Sequence, residues 1–399
     1  MKNKFVAKRY WVEDSTAMGK SAELSKQFDD LINLSLGDPD MVTPEVIIEK
    51  AFMDAKNGHT KYTDFSGDPE LKSEICNFYK NEYNMDVNND EIFVTTSGCH
   101  AMYLSLEAII DDGDEVIIQS PFFTPYPHQV RLARGVPVEI PTYEEENYQI
   151  NKERLEGLIT GKTKAIIINT PSNPTGSCLT AESLNILADT AKNHDLIVIA
   201  DDIYTAFSYE HPFIPIASLP GMRERTITIN SFSKNFLMTG WRIGNIVAPD
   251  YIVEIVQLIN ENVVFTAPAV SQRAAIHALR LRNEIQPKII DEFKMRVMYA
   301  AERINKLHNM HVTYPPKGTF YLFPSIKDTG LSSEEAADII LNEAHVLVLP
   351  GNAFGTSGEG YIRIACTVNK DKLKEAFDKI EKLSKFKKED INIKPCIIK

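Results

Sequence analysis

Cysteine is scarce and unpatterned. The five in 399 residues, Cys76, Cys99, Cys178, Cys366 and Cys396, include no C-x-x-C pair, so neither a disulfide framework nor a thiolate zinc site is suggested. A reducing compartment fits that usage. No run of about 18 uninterrupted apolar residues occurs, and the opening MKNKFVAKRYWVED is charged and lacks an apolar signal core. A cytoplasmic protein is expected. Positive charge is also in short supply: 43 Lys and Arg stand against 55 Asp and Glu, a net charge of −12 that disfavours non-specific binding to nucleic acid or anionic membrane. The nine histidines are dispersed without an H-E-x-x-H, so no metal site is expected. Neither G-x-G-x-x-G nor a Walker sequence points to a dinucleotide or ATP.

What is present is ordinary globular composition, 43% apolar and 25% charged, in a chain longer than the roughly 250–300 residues that one core can fill. Two domains are expected. From residue 90 onward short β-branched runs recur: IFVTT (92–96), EVIIQS (115–120), VPVEI (136–140), KAIIIN (164–169), LIVIA (196–200), TITIN (226–230) and IGNIVA (243–248). Between them Ala101, Leu104 and Ala108, and later Leu184, Leu187, Ala188 and Ala191, fall at three- and four-residue steps. Strands alternating with amphipathic helices predict an α/β fold, with a mostly parallel central sheet and helices on both faces.

After a helical run at 251–260 come a long helical stretch around 285–308, strand-like TFYLF and HVLVLP, and a charged terminal helix. These predict a smaller α+β domain. The expected plan is discontinuous: residues 1–45 are an N-terminal arm contributing to the small domain, 46–290 the large domain and 291–399 the small C-terminal domain. The tail from Lys385 is read as a solvated end that can pack on the body.

The most informative segment is SFSKNFLMTGWRIG, residues 231–244, just after TITIN. A lysine in a Ser-rich turn is by itself a weak signal, most often a solvated loop residue. Here Thr239, Gly240 and Gly244 add small residues for close backbone approach, and Arg242 adds a guanidinium suited to bidentate phosphate binding. Lysine, hydroxyls and arginine together suggest an aldehyde cofactor bearing a phosphate.

With these residues the chain resembles the class I and II aminotransferases, the aspartate aminotransferase-like, fold type I enzymes that use pyridoxal 5′-phosphate. The resemblance runs in order from GDPD at residue 37 to YIRIA at 361, through YTDFSGDPEL, TTSGCHA, SPFFTPY, TPSNPTG, ADDIY, SFSKNFLMTGWRIG, GTFYLFP and LPGNAFG. It implies that residues 46–290 bind the cofactor. It also implies that Lys234 forms the internal aldimine and shuttles a proton. Asp201 would face the pyridine nitrogen, and Tyr204 and Asn173 would hydrogen-bond the cofactor 3-hydroxyl.

By the same resemblance the backbone of Gly98, Cys99 and His100, at a helix N-terminus, would cradle the phosphate with Ser231, Ser233 and Arg242. Phe123 would stack on the pyridine ring. Arg363 would clamp the substrate α-carboxylate, with Gly37 and Asn173 beside it. Tyr62 would reach the cofactor phosphate of a neighbouring subunit, which implies a homodimer with shared active sites.

The implied activity moves an amino group from an L-amino acid to a 2-oxo acid by a ping-pong aldimine and pyridoxamine cycle. A β-eliminating C–S lyase on the same fold is the alternative, because both reactions begin from the same carbanion. A ligand-sensing, non-catalytic aminotransferase-like protein is a third reading, and the intact set of Lys234, Asp201 and Arg242 argues against it. No arginine is placed to pair with a distal carboxylate, and His100 stands where some members carry a specificity lysine. A dicarboxylic donor is therefore not implied.

Overall fold

The computed structural model describes residues 4–7, 17–313 and 315–387. Cys396 and the tail beyond residue 387 lie outside the described residues, as does part of the N-terminal arm. In chain order the strands are β1 (Ile32–Asn33), β2 (Ile92–Thr95), β3 (Glu115–Ser120), β4 (Val136–Pro141), β5 (Thr163–Asn169), β6 (Ile197–Asp201), β7 (Thr226–Ser231), β8 (Gly244–Val247), β9 (Tyr321–Leu322), β10 (Val346–Leu347), β11 (Leu349–Pro350) and β12 (Ile362–Ala365). The helices are α1 (Ala17–Leu24), α2 (Glu45–Lys56), α3 (Pro69–Tyr83), α4 (Gly98–Ile109), α5 (Tyr126–Leu132), α6 (Lys152–Glu156), α7 (Ala181–Asn193), α8 (Asp250–Glu261), α9 (Ala269–Arg280), α10 (Arg282–Ile304), α11 (Ser333–Ala344) and α12 (Lys370–Ile380). None of the described helices is long and apolar enough to cross a membrane.

Strands β2 to β8 form one sheet in the order β2-β8-β7-β6-β5-β3-β4. They are the seven β-branched runs of the sequence. Neighbouring strands from β4 through β7 are parallel, whereas β8 runs antiparallel to both β7 and β2. Because side chains alternate across a strand, one residue in two serves each face. Ile118, Ile167 and Ile199 pack with α4, α5 and α8 on one side. Ile117, Ile166, Ile168 and Val198 pack with Leu155 of α6 and Leu184 and Leu187 of α7 on the other. Both faces are covered, which is why these runs are apolar throughout rather than alternating.

A separate apolar cluster gathers Ile32 and Leu34 with Val297, Ala301, Val346, Ile362, Leu373 and Phe377. Its backbone link is the parallel pairing of β1 with β10, which brings Ile32 opposite Val346. Helix α10 enters both clusters: Ile285, Ile289 and Phe293 pack with Phe236 and Phe320, while Val297, Ala300 and Ile304 pack beside Ile32. HVLVLP, read from sequence as one strand-like run, is two short strands. β10 pairs with β1 and β11 pairs antiparallel with β12, so the chain changes partner at the buried Val348.

Candidate active site

The parallel strands end on a common edge, and their last residues carry polar groups. Asn169 ends β5, Asp201 ends β6 and Ser231 ends β7; Asn169 and Asp201 are register partners. The antiparallel β8 begins at that same edge, where Gly244 pairs with Ser231 on one side and Thr95 on the other. Gly244 is required by close approach, because a Cβ there would lie 2.8 Å from the Asn230 carbonyl and 3.1 Å from the Gly98 nitrogen. The edge opens into a cavity of about 410 Å³ closed from the far side by Leu36–Asp38, Tyr321 and Arg363. Ligands of open parallel sheets gather at this edge.

Lys234 is half-buried in that cavity, and its Nζ donates a 2.6 Å hydrogen bond to the Gly37 carbonyl. Withdrawal from solvent destabilises its ammonium and lowers its pKa to about 8, against the opposing pull of the Asp38 carboxylate. An amine so tuned is neutral often enough near pH 8 to act as nucleophile or base. Gly37 cannot be exchanged for a residue with a side chain without displacement, since a Cβ would overlap the Tyr321 hydroxyl.

Asp201 is 5% exposed. Burial raises its carboxyl to about 6, opposed by a 2.5 Å hydrogen bond from the Tyr126 hydroxyl to Oδ2 and a long one, 3.4 Å, from the Ile203 amide to Oδ1. Asn169 anchors the backbone here, its Nδ2 donating to the Asp201 carbonyl at 2.8 Å and its Oδ1 accepting from the Asn173 amide at 2.8 Å. The neighbouring Asp202 is also buried, and burial together with the Asp201 charge holds its carboxyl well above the usual range. No cation pairs with Asp201 among the described residues, so a buried acid stands ready for a positive group in the cavity.

Arg363 lies in β12 and is 2% exposed. Its Nη1 donates to Asn173 Oδ1 at 3.0 Å, its Nη2 donates to the Ser35 carbonyl, and its buried Nε has no partner among the described residues. Its guanidinium lies 4.7 Å from the Tyr321 ring centroid and 4.9 Å from that of Phe354. Burial lowers its pKa from the usual value. Neutral partners surround this charge, an arrangement suited to receiving a carboxylate. Asn173 Oδ1 accepts from Arg363, and the donor this side chain offers a cofactor is its Nδ2. Tyr204 is buried, its hydroxyl 3.2 Å from that of Tyr321.

The remaining wall is built for an anion. Gly98 and Cys99 open α4, and amides of a first turn have no intrahelical acceptor. The Ser231 hydroxyl donates to Ser233 Oγ at 2.9 Å, and Arg242, exposed at the rim, donates to the Thr239 carbonyl at 2.7 Å.

Of the residues singled out from sequence, Gly37, Gly98, Cys99, Phe123, Asn173, Asp201, Tyr204, Ser231, Ser233, Lys234, Arg242 and Arg363 line this one cavity. His100 does not. Its amide is taken by the Ser97 hydroxyl at 3.1 Å, the helix cap, and its ring turns back to accept from the Thr96 amide at 3.3 Å. Burial lowers the His100 imidazole to about 4. Tyr62 also lies away from the cavity, 80% exposed and edge-on to Phe265 at 4.9 Å. Tyr126, Asn169 and Tyr321 line the cavity but carried no role in the sequence reading. Tyr126 and Tyr321 sit inside SPFFTPY and GTFYLFP, and Asn169 is the polar end of an apolar strand. That last signal could have found it. A second cavity, about 440 Å³ against His128, Glu334 and Asp338, contains none of the expected residues.

Comparison with known proteins agrees with this geometry. Residues 29–380 match the family model described as aminotransferase class I and II. The chain is 43% identical over 393 residues to an aspartate aminotransferase of Pyrococcus abyssi, covering 94% of this chain and 99% of that protein. It is 41% identical over 391 residues to aromatic-amino-acid aminotransferase 2 of Thermococcus litoralis, with the same coverage. The crystal structure of the Thermus thermophilus aspartate aminotransferase with maleate superposes with a TM-score of 0.88 at 30% identity, over 95% of this chain and 99% of the other. With its family model, its relatives and its fold in agreement, the chain belongs to the class I and II aminotransferase family, with the fold of the fold type I enzymes.

Proposed function

We propose that this protein transfers an amino group from an L-amino acid to a 2-oxo acid with pyridoxal 5′-phosphate bound at Lys234. One observation carries the reading: a single cavity holds an amine of lowered pKa and, among the described residues, a buried acid paired with no cation and a buried guanidinium with an unpartnered nitrogen. The residues fit the group. Asp201 suits a protonated ring nitrogen, Phe123 a stacked ring, and the Gly98 and Cys99 amides with Ser231, Ser233 and Arg242 a phosphate. When bound, the cofactor supplies an aldehyde carbon and an electron-withdrawing ring.

In this reading Lys234 moves a proton at the substrate α-carbon. Arg363 binds the α-carboxylate, with Asn173 and Gly37 beside it. Tyr204 donates to the cofactor hydroxyl, and Asp201 keeps the ring nitrogen charged. The relatives named above are aminotransferases, and no feature of the cavity favours the eliminating lyase. The test mixes holoprotein with a panel of amino acids, without acceptor, and follows the visible absorbance while assaying ammonia. Stoichiometric pyridoxamine phosphate is expected; catalytic ammonia would overturn the reading.

The same proposal includes a cytoplasmic homodimer with shared sites. Support comes from an exposed aromatic group in which Tyr62 and Phe65 both meet Phe265 edge-on, at 4.9 and 5.0 Å, beside exposed Val263 and Val264. It includes the domain plan as well: a large unit at 46–290, and a small one made of 291–399 with the arm before residue 46. The cluster joining Ile32 and Leu34 to Val297 and Val346 supports that plan, and the proposed boundary falls within the continuous helix α10.

A further inference from the structure

Three buried polar atoms that have no hydrogen-bond partner among the described residues belong to side chains around one small cavity. They are the Tyr79 hydroxyl on α3, Asn235 Oδ1 in the turn after β7, and Asn245 Nδ2 on β8. None of the three residues is more than 4% exposed, so bulk solvent does not satisfy them. The cavity measures about 20 Å³, and a single water molecule needs about 10–15 Å³. Asn230, the register partner of Asn245, completes its polar side. The Asn230 Oδ1 accepts from the Ser231 amide at 2.7 Å, and its amide comes near the Tyr79 phenol without meeting it in hydrogen-bond geometry. The opposite wall is apolar, with Ile75 and Phe78 of α3 and Leu279 of α9.

This cavity lies behind the turn that carries Lys234. Ser233 and Lys234 line the active-site cavity, Phe232, Asn235 and Phe236 line the small one, and Ser231 reaches both. The turn is a thin partition between the two. The groups on its far side are one amide N–H, one amide oxygen and one hydroxyl able to donate or accept. A bound cation would call for acceptors alone and a bound anion for donors alone. Water donates twice and accepts as well, so it matches the mixed set, and three bonds are usual for an internal water.

We propose that this cavity is a binding site for one internal water, which donates to Asn235 Oδ1, accepts from Asn245 Nδ2 and bonds the Tyr79 hydroxyl. Through it the Lys234 turn is tied to α3 and β8 by a bridge that the side chains do not make directly. The site is a property of the polypeptide and stands independently of the pyridoxal phosphate reading.

The experiment uses the full-length chain loaded with pyridoxal 5′-phosphate. A crystal structure at atomic resolution should show one ordered water about 2.7–3.2 Å from each of the three atoms. Oxygen-17 relaxation dispersion in solution counts long-lived internal waters, and Asn245→Leu, which removes the donor and fills the space, should lower that count by one. Tyr79→Phe keeps the ring and the cavity but takes away one of the three bonds, so that water should exchange about fivefold faster. Should Asn245→Leu not fold, Tyr79→Phe and the wild-type structure still decide. Density without a water there, side chains that bond one another directly, an ion in its place, a count unchanged in Asn245→Leu or an exchange rate unchanged in Tyr79→Phe would each overturn the proposal. If the chain fails to bind pyridoxal 5′-phosphate, the functional reading fails, and the same measurements on the cofactor-free protein still test the water site.

Discussion

The ammonium of Lys234 reaches across 197 residues of sequence to donate a 2.6 Å hydrogen bond to the carbonyl of Gly37. The contact joins the loop after β7 to the segment following β1, so the reactive amine is held by the wall expected to meet the substrate. The glycine is essential to that geometry. Its missing side chain is where the Tyr321 hydroxyl sits. Gly37→Ala should therefore push Tyr321 outward at a cost of about 1–3 kcal/mol. Adding Tyr321→Phe, which removes the overlapping oxygen, should recover part of that loss in a denaturation midpoint.

Lys234→Ala should replace the absorbance of the lysine-bound cofactor by that of the free aldehyde at shorter wavelength and lower amino transfer by about 10³-fold or more. Spectra of the reconstituted variant and initial rates with excess cofactor check this. An unshifted spectrum would show that another amine is the partner.

Asp201 and Lys234 should leave opposite marks on the pH dependence of the cofactor-free protein. Burial raises Asp201 from the ordinary 3.8 to about 6, so its contribution is full below about pH 4 and is lost as pH rises through about 6. That interval caps the effect at about 3 kcal/mol. Lys234 is lowered from 10.5 to about 8, so the folded state gains stability as pH rises from about 8 toward 10.5. Asp201→Asn should flatten the acid interval, stabilise the cofactor-free fold at pH 7.5 and weaken cofactor binding. Denaturant titrations over pH, with and without cofactor, measure all three.

Removing Arg363 should cost about 2–5 kcal/mol in kcat/KM, the range for stripping one partner from a buried charge pair. Arg363→Lys should recover little, because a compact ammonium cannot reproduce the planar fork that reaches both Asn173 and Ser35. Cofactor absorbance should be untouched in both variants, which separates substrate binding from cofactor binding.

A charge in the exposed aromatic group tests the assembly. Phe265→Asp should convert a dimer into monomers in analytical ultracentrifugation and weaken cofactor retention, because Tyr62 would lose its neighbouring site. A wild type that sediments as a monomer would overturn the shared-site reading.

How much of this was legible beforehand varies by residue. The seven sheet strands stood out because strands buried on both faces are continuous apolar runs, and the helices between them showed a clean 3.6-residue period. Lys234, Asp201, Asn173 and Arg363 lay inside ordered motifs. Tyr126 and Tyr321 were hidden because an aromatic in an apolar segment reads as core until a partner is seen, and the acceptor of Tyr126 lies 75 residues away. His100 lies off the cavity for a local reason that the motif does not show: the capping Ser97 hydroxyl accepts from its amide.

The sequence by itself determined the α/β class, the strand list and the chemistry of the site residues, since periodicity and residue type are local properties. Tertiary structure alone decided the antiparallel course of β8, the split of HVLVLP between two partners, and which hydroxyl meets which carboxylate. It also decided protonation. Local motifs single out Lys234 and Asp201, but nothing local sets their protonation, which follows from burial inside a cavity that distant segments close together.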